Sequence, residues 1–331
     1  MLLAHIPRRT YTSVKTPIEK LEHLTKELNG PNIYVKRDDL LGLTAGGNKT
    51  RKLEFLVADA LRHGADTLIT CGALQSNHCR LTLAAAVKEG LNCQLVLEEK
   101  IPGTYNKQAN GNNFLYQLLG AEKIKVVPQG SNVLEEMNRL AVKLRDQGRK
   151  PYVIPLGGSN EIGTLGYVTC AQEIVDQTFD LGLKMDHIVT AIGSGSTFAG
   201  LALGFGLHYS DVTLSGIGIM GDNDIQESVV KQHIDNATDY LQVPFNIPTD
   251  RLKFFDDYVG EGYAIPTEEM VEAVKLVARL EGLLLDPVYT GKVMAGLIDL
   301  IHQGVFKQDE NVLFVHTGGS PALYANTNLF F

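Results

Sequence analysis

Lys49 stands directly after a Gly-Gly-Asn turn, in Ala45-Gly46-Gly47-Asn48-Lys49-Thr50-Arg51-Lys52-Leu53, at the first positions of an apolar-periodic helix. A cation at a helix N-terminus opposes the macrodipole. That opposition depresses its pKa and raises the share of free amine, which Schiff-base chemistry requires. A second glycine-rich turn, Gly193-Ser194-Gly195-Ser196-Thr197, follows the apolar run His187 to Ile192. Its backbone N–H groups and hydroxyls, at an expected helix start, suit an anionic phosphate. An amine for a carbonyl and a cradle for a phosphate are together what a phosphorylated aldehyde needs, and pyridoxal 5'-phosphate is such a molecule.

Four further segments carry weaker signals. Gln75-Ser76-Asn77-His78 comes after a strand and Gly72, where exposed amides can hold a carboxylate, although an ordinary N-cap has the same composition. Asp286-Pro287-Val288-Tyr289-Thr290-Gly291-Lys292, Glu261-Gly262-Tyr263-Ala264 and His316-Thr317-Gly318-Gly319-Ser320 supply phenols and hydroxyls after apolar segments. A buried tyrosine with a satisfied hydroxyl accounts for such positions equally well. The Gly193 turn fits a dinucleotide fingerprint poorly, because its third glycine is displaced and no acidic residue ends the next strand. It also lacks the Gly-Lys-Ser/Thr of a nucleotide P-loop. A nicotinamide dehydrogenase is therefore a poor alternative. His5, His23, His63, His208, His233 and His302 show no partner spacing and read as surface or packing residues, and Lys52 and Arg80 have equally plain explanations.

The elements that must position these residues alternate. The spacing predicts a helix over Pro17–Leu28, a strand over Asn32–Arg37, and a helix after Lys49 whose apolar positions Leu53, Leu56, Val57, Ala60 and Leu61 share one face. Strands follow at Thr67–Cys71, Cys93–Leu97, Lys123–Val127 and Pro151–Pro155, separated by helical patterns. A second set runs from Gly163, with strands at His187–Ile192, Thr213–Ile219 and Asn311–His316. Such alternation implies right-handed βαβ units on mainly parallel sheets covered on both faces, with ligands outside the carboxyl ends of strands. The fold class expected is α/β in two domains, each an open sheet, with the active site in the cleft between them.

Bulk composition narrows the function classes. With 331 residues, 44% hydrophobic and 21% charged, the chain matches an ordinary soluble protein of one large or two typical domains. A net charge of −8 with no Lys/Arg run argues against a nucleic-acid partner. No window approaches the ~18 consecutive apolar residues of a membrane span. Met1–Thr10 holds no apolar signal core, so no signal peptide is expected. Cys71, Cys79, Cys93 and Cys170 show neither CxxC nor metal-ligand spacing, which reads as reduced buried thiols of a cytoplasmic protein and no metal site.

Taken in order, Thr16-Pro17-Ile18, Lys36-Arg37-Asp38-Asp39, the Lys49 turn, Arg51-Lys52-Leu53-Glu54-Phe55, Gln75-Ser76-Asn77-His78, the Gly193 loop, Asp286-Pro287-Val288-Tyr289 and His316–Leu323 resemble the fold-type II pyridoxal-phosphate enzymes. More narrowly, they resemble the family of 1-aminocyclopropane-1-carboxylate deaminase and D-cysteine desulfhydrase. The resemblance implies a large cofactor-binding domain of residues 1–51 plus 162–331 and a smaller inserted domain of 52–161. It implies that Lys49 is the Schiff-base lysine, that Asn77 meets the phenolic oxygen of pyridoxal 5'-phosphate, and that Gly193, Ser194, Gly195, Ser196 and Thr197 hold its phosphate. Ser76, Asn77 and His78 would take the carboxylate of a small amino-acid substrate, with Tyr263 and Tyr289 flanking it, and Lys49, Ser76 or Tyr289 would move the α-proton. Where deaminases of the family carry Glu and Leu, this chain has Thr290 and Thr317 near the pyridine ring. A neutral hydroxyl there stabilises less charge than a carboxylate. The pair therefore favours β-elimination of a good leaving group, sulfide from D-cysteine, over ring opening of the cyclopropane or loss of sulfite from L-cysteate. A homodimer is the assembly the resemblance implies.

Overall fold

The computed structural model describes residues 3–208, 211–243 and 249–331. The first half runs β1 (Ile18–Lys20), α1 (Glu22–Leu28), β2 (Asn32–Lys36), α2 (Lys49–Arg62), β3 (Thr67–Ala73), α3 (Asn77–Lys88), β4 (Asn92–Glu99), α4 (Asn112–Leu118), β5 (Lys123–Pro128), α5 (Val133–Asp146) and β6 (Pro151–Val153). The second half runs α6 (Glu161–Asp180), β7 (His187–Ile192), α7 (Ser196–Leu207), β8 (Thr213–Gly218), α8 (Asn223–Leu241), β9 (Leu252–Phe255), α9 (Glu268–Glu281), α10 (Thr290–His302), β10 (Asn311–Val315) and α11 (Ser320–Tyr324).

Strands assort into two sheets, one of order β1-β2-β10-β7-β8-β9 and one of order β5-β4-β3-β6. Every pairing is parallel except β1 with β2. The period-2 geometry of a strand sends successive side chains to opposite faces, and β10 displays it. Val312 and Phe314 join the core under α1, α9 and α10, while Leu313 and Val315 join the core under α6, α7 and α8. The smaller sheet is covered likewise, by α2, α3 and α4 on one face and α5 on the other. The fold is thus α/β with helices on both faces of mainly parallel sheets.

One expectation needs correction, and one strand has no counterpart in the sequence pattern. The helix expected over Pro17–Leu28 starts only at Glu22, because Ile18–Lys20 pairs as an edge strand with β2, and Arg37 N–H donates to the Pro17 carbonyl. The partners for that strand lie some sixteen residues on, outside any local periodicity. The short strand β9, half-buried at the sheet edge beside β8, has no alternation long enough to announce it.

Candidate active site

The chain reaches α2 through Ala45, Gly46 and Gly47, all at positive φ. The turn is closed by Gly47 N–H on the Asp38 carbonyl (3.0 Å) and Asn48 N–H on the Thr317 carbonyl (3.0 Å). Asn48 then donates from Nδ2 to Thr197 Oγ1 at 2.9 Å, which ties the lysine turn to the Gly193 loop. Lys49, the first residue of α2, points into a cavity that it shares with Asn48, Ser76, Asn77, His78, Gly193, Ser194, Gly195, Thr197, Tyr263, Tyr289 and Thr317. Burial brings its amine down to about 8.

The cavity opens at the carboxyl ends of β3, β4, β7, β8 and β10, so both sheets contribute to it. At the end of β3, Ser76 caps α3 by accepting from Cys79 N–H at 3.1 Å. The first N–H groups of a helix lack intrahelical acceptors, so the amides of Asn77 and His78 are available to an anion. Asn77 Oδ1 accepts from Asn112 Nδ2 (2.8 Å), and Asn112 Oδ1 in turn accepts from Arg80 Nε (2.8 Å). That chain leaves the Asn77 amide nitrogen as the donor for the cavity. His78 Nε2 lies 2.8 Å from Thr70 Oγ1, whose own proton goes to the Ile154 carbonyl, so Nε2 is the donor. Burial, then the nearby Lys49 and Lys52 charges, push its pKa well below the usual histidine range.

The loop after β7 is backed by a run of hydroxyls. Lys52 Nζ donates to Ser196 Oγ (2.6 Å), Ser196 donates to Ser159 Oγ (2.8 Å), and Ser159 donates to Ser194 Oγ (2.7 Å). The Ser194 proton is therefore the one free to face the cavity. Lys52 is buried, also donates to the Gly157 carbonyl (3.2 Å), and has no carboxylate partner among the described residues. Burial and then the Lys49 charge drive its pKa well below the usual lysine range. A phosphate in the loop would restore the proton and supply the counter-ion that a lysine so placed lacks.

On the far wall the Tyr263 and Tyr289 hydroxyls meet at 2.7 Å with their rings edge to face. Burial raises both phenols, Tyr263 to about 12, so both stay protonated. Two residues expected at the cofactor lie outside the lining. Ser196 sits behind the loop in the hydroxyl run. Thr290, at the start of α10, is buried and engaged by Asp286: its Oγ1 accepts from Asp286 N–H (2.7 Å) and donates to Oδ1 (2.8 Å). The sequence does not single out Asn48 or Ser159 and gives Lys52 only a plain explanation, because the partners of Asn48 and Lys52 lie more than a hundred residues away and those of Ser159 lie 35 and 37 residues away.

A family model described as pyridoxal-phosphate dependent enzyme matches residues 10–318. The chain belongs to this family. Relatives include a D-cysteine desulfhydrase of Klebsiella pneumoniae (strain 342), 46% identical over 98% of this chain and 97% of that protein. Another from Salmonella typhi is 46% identical with the same coverage of both. A solved structure titled as an ACC deaminase homologue superposes with a TM-score of 0.88 at 39% identity, covering 99% of this chain and 97% of the other. O-ureido-L-serine synthase, at 19% identity and a TM-score of 0.67 over 99% and 94%, shares the fold. The cofactor of the family is pyridoxal 5'-phosphate, and the residues present fit it: a buried lysine without a counter-ion and free donors at the loop, and a lowered-pKa amine across from them.

Proposed function

We propose that the chain eliminates sulfide from D-cysteine, releasing pyruvate, ammonia and hydrogen sulfide. The observation that carries this reading is the 46% identity to D-cysteine desulfhydrases along almost the whole chain. When bound, pyridoxal 5'-phosphate supplies an electron sink for charge developing at the substrate Cα. The chain's own residues do the rest. Lys49, with its amine at about 8, offers roughly a tenth of its population as free base at neutral pH, enough to attack a carbonyl and later to accept the α-proton. The Asn77 and His78 amides at the head of α3 hold the substrate carboxylate, where the helix dipole favours an anion. Ser76 stands beside them as a proton carrier. The neutral phenol pair Tyr263–Tyr289 can keep a proton near the departing sulfur.

A second reading, deamination of 1-aminocyclopropane-1-carboxylate, is supported by the ACC deaminase homologue. Against it stand Thr317 in the cavity and Thr290, whose hydroxyl is spent on Asp286. Loss of sulfite from L-cysteate would want a free cation for the sulfonate. Besides Lys49 the cavity offers Lys100, already 2.7 Å from Glu98. Four buried free cysteines fit a reducing cytoplasm, no helix among the described residues is long and apolar enough to cross a membrane, and a homodimer completes the reading.

The test is to assay sulfide, pyruvate and ammonia from D-cysteine, L-cysteine, L-cysteate and the cyclopropane, with Lys49→Ala as control. Equal sulfide and pyruvate from D-cysteine, absent in the control, is expected. Ammonia from the cyclopropane without sulfide from D-cysteine would sink the proposal.

A further inference from the structure

The Gly193–Thr197 loop pivots on an unusual turn. Ser196 N–H donates to the Ser194 carbonyl at 3.1 Å, and Gly195 between them has φ 82 and ψ −36. This is a γ-turn with positive φ at its centre, a rare turn that glycine adopts without the clash a Cβ would bring. Because glycine reaches many other conformations as readily, the turn stays in place only where the surroundings hold it. One such hold comes from α8: His233 Nε2 lies 2.9 Å from the same Ser194 carbonyl. A carbonyl only accepts, so Nε2 carries the proton and donates. The ring also packs on the pivot, since a Cβ at Gly195 would come within 3.2 Å of His233 Cδ2. Its Nδ1 is buried with no hydrogen-bond partner among the described residues, so the Nε2 bond is the polar role left to this side chain.

His233 is absent from the cavity lining and acts from behind the loop. In a trans peptide the C=O and the following N–H point to opposite sides. Drawing the Ser194 carbonyl toward α8 therefore turns the Gly195 N–H away from α8. We infer that His233 is a positioning residue for the phosphate: it pins the Ser194 carbonyl from outside and so keeps the loop's amide donors aimed at the anion. The inference rests on the reading of this loop as the phosphate cradle.

The test compares apoprotein titrated with pyridoxal 5'-phosphate and with pyridoxal, which lacks the phosphate, following near-visible absorbance. His233→Leu removes the donor, and His233→Gln places an amide N–H near the position of Nε2. The expected result is about a tenfold loss of affinity for pyridoxal 5'-phosphate in His233→Leu, little change for pyridoxal, and recovery in His233→Gln. Inorganic phosphate should also compete less well in the Leu variant. Unchanged affinity, or an equal loss for both aldehydes, overturns the inference. If the unaltered protein itself fails to prefer the phosphorylated aldehyde, the cradle reading falls instead. Should the Leu variant not fold, His233→Asn, too short to reach the carbonyl, against His233→Gln makes the same comparison.

Discussion

Lys52 follows Lys49 by three residues on α2, within reach of the same face of the helix. Its buried amine meets a hydroxyl, a carbonyl and the Lys49 amine, and no counter-ion among the described residues. Burying a lysine without a counter-ion costs the fold stability, because its proton must be shed, whereas a phosphate beside it restores the charge and forms a strong, charge-assisted bond. Lys52→Met should therefore act with opposite sign on the two forms. Calorimetry should find the apoprotein variant melting higher than the unaltered apoprotein, while titration should find pyridoxal 5'-phosphate bound roughly 10- to 100-fold more weakly. A variant that weakens neither form would remove Lys52 from the cradle. Lys49 carries the pH dependence. Only its neutral amine attacks an aldehyde, and its pKa is lowered to about 8 by burial. The association rate of cofactor with apoprotein should thus climb with pH below about 8 and level off above it, as stopped-flow absorbance would record. A rate still climbing steeply toward pH 10 would mean an amine with the ordinary lysine pKa.

What aims these amines is the seat of α2 against α6. A Cβ built on Gly166 of α6 would lie 2.5 Å from the Arg51 carbonyl carbon and 2.6 Å from Lys52 N, so backbone faces backbone with no flexible side chain to yield. Gly166→Ala should force α2 away, costing about 1–3 kcal/mol of stability and weakening cofactor binding by displacing both lysines. Thermal melts and the same titration check it, and a variant with unaltered melting and binding would show that the helices have slack. Such contacts mark the limit of reading from sequence. The strands β3, β7, β8 and β10 were legible because apolar runs and glycine stops are local, and so were the turns that begin α2 and α7. The Lys52–Ser196 bond spans 144 positions and β1 depends on a partner strand, so neither leaves a local pattern. Thr290 illustrates the converse. Its place in a motif was legible, but its hydroxyl was claimed by Asp286 four residues earlier, a capping choice that only the folded turn reveals.

At the scale of the whole molecule, all strands of the smaller sheet fall between residues 67 and 153, and all strands of the larger one fall outside. We propose on this arrangement that the chain has two parts, 1–51 with 162–331 and 52–161, joined by α2, which runs across the first boundary. The cavity takes Ser76 and Asn77 from the smaller part and Gly193–Gly195 and Thr317 from the larger. A ligand held by both must stabilise both at once. At a hundred times its dissociation constant, such a ligand adds about 2.7 kcal/mol, close to a hundredfold slowing of exchange for amides that open only globally. Hydrogen exchange with and without pyridoxal 5'-phosphate should therefore show slowing in α3 and β3 as well as in β7 and α7. Pyridoxal, lacking the phosphate, should protect α3 while leaving the head of α7 nearly as open as in the apoprotein. Protection confined to one sheet would mean that the cofactor does not bridge the two parts, and the cleft would lose its role as the place where they are joined.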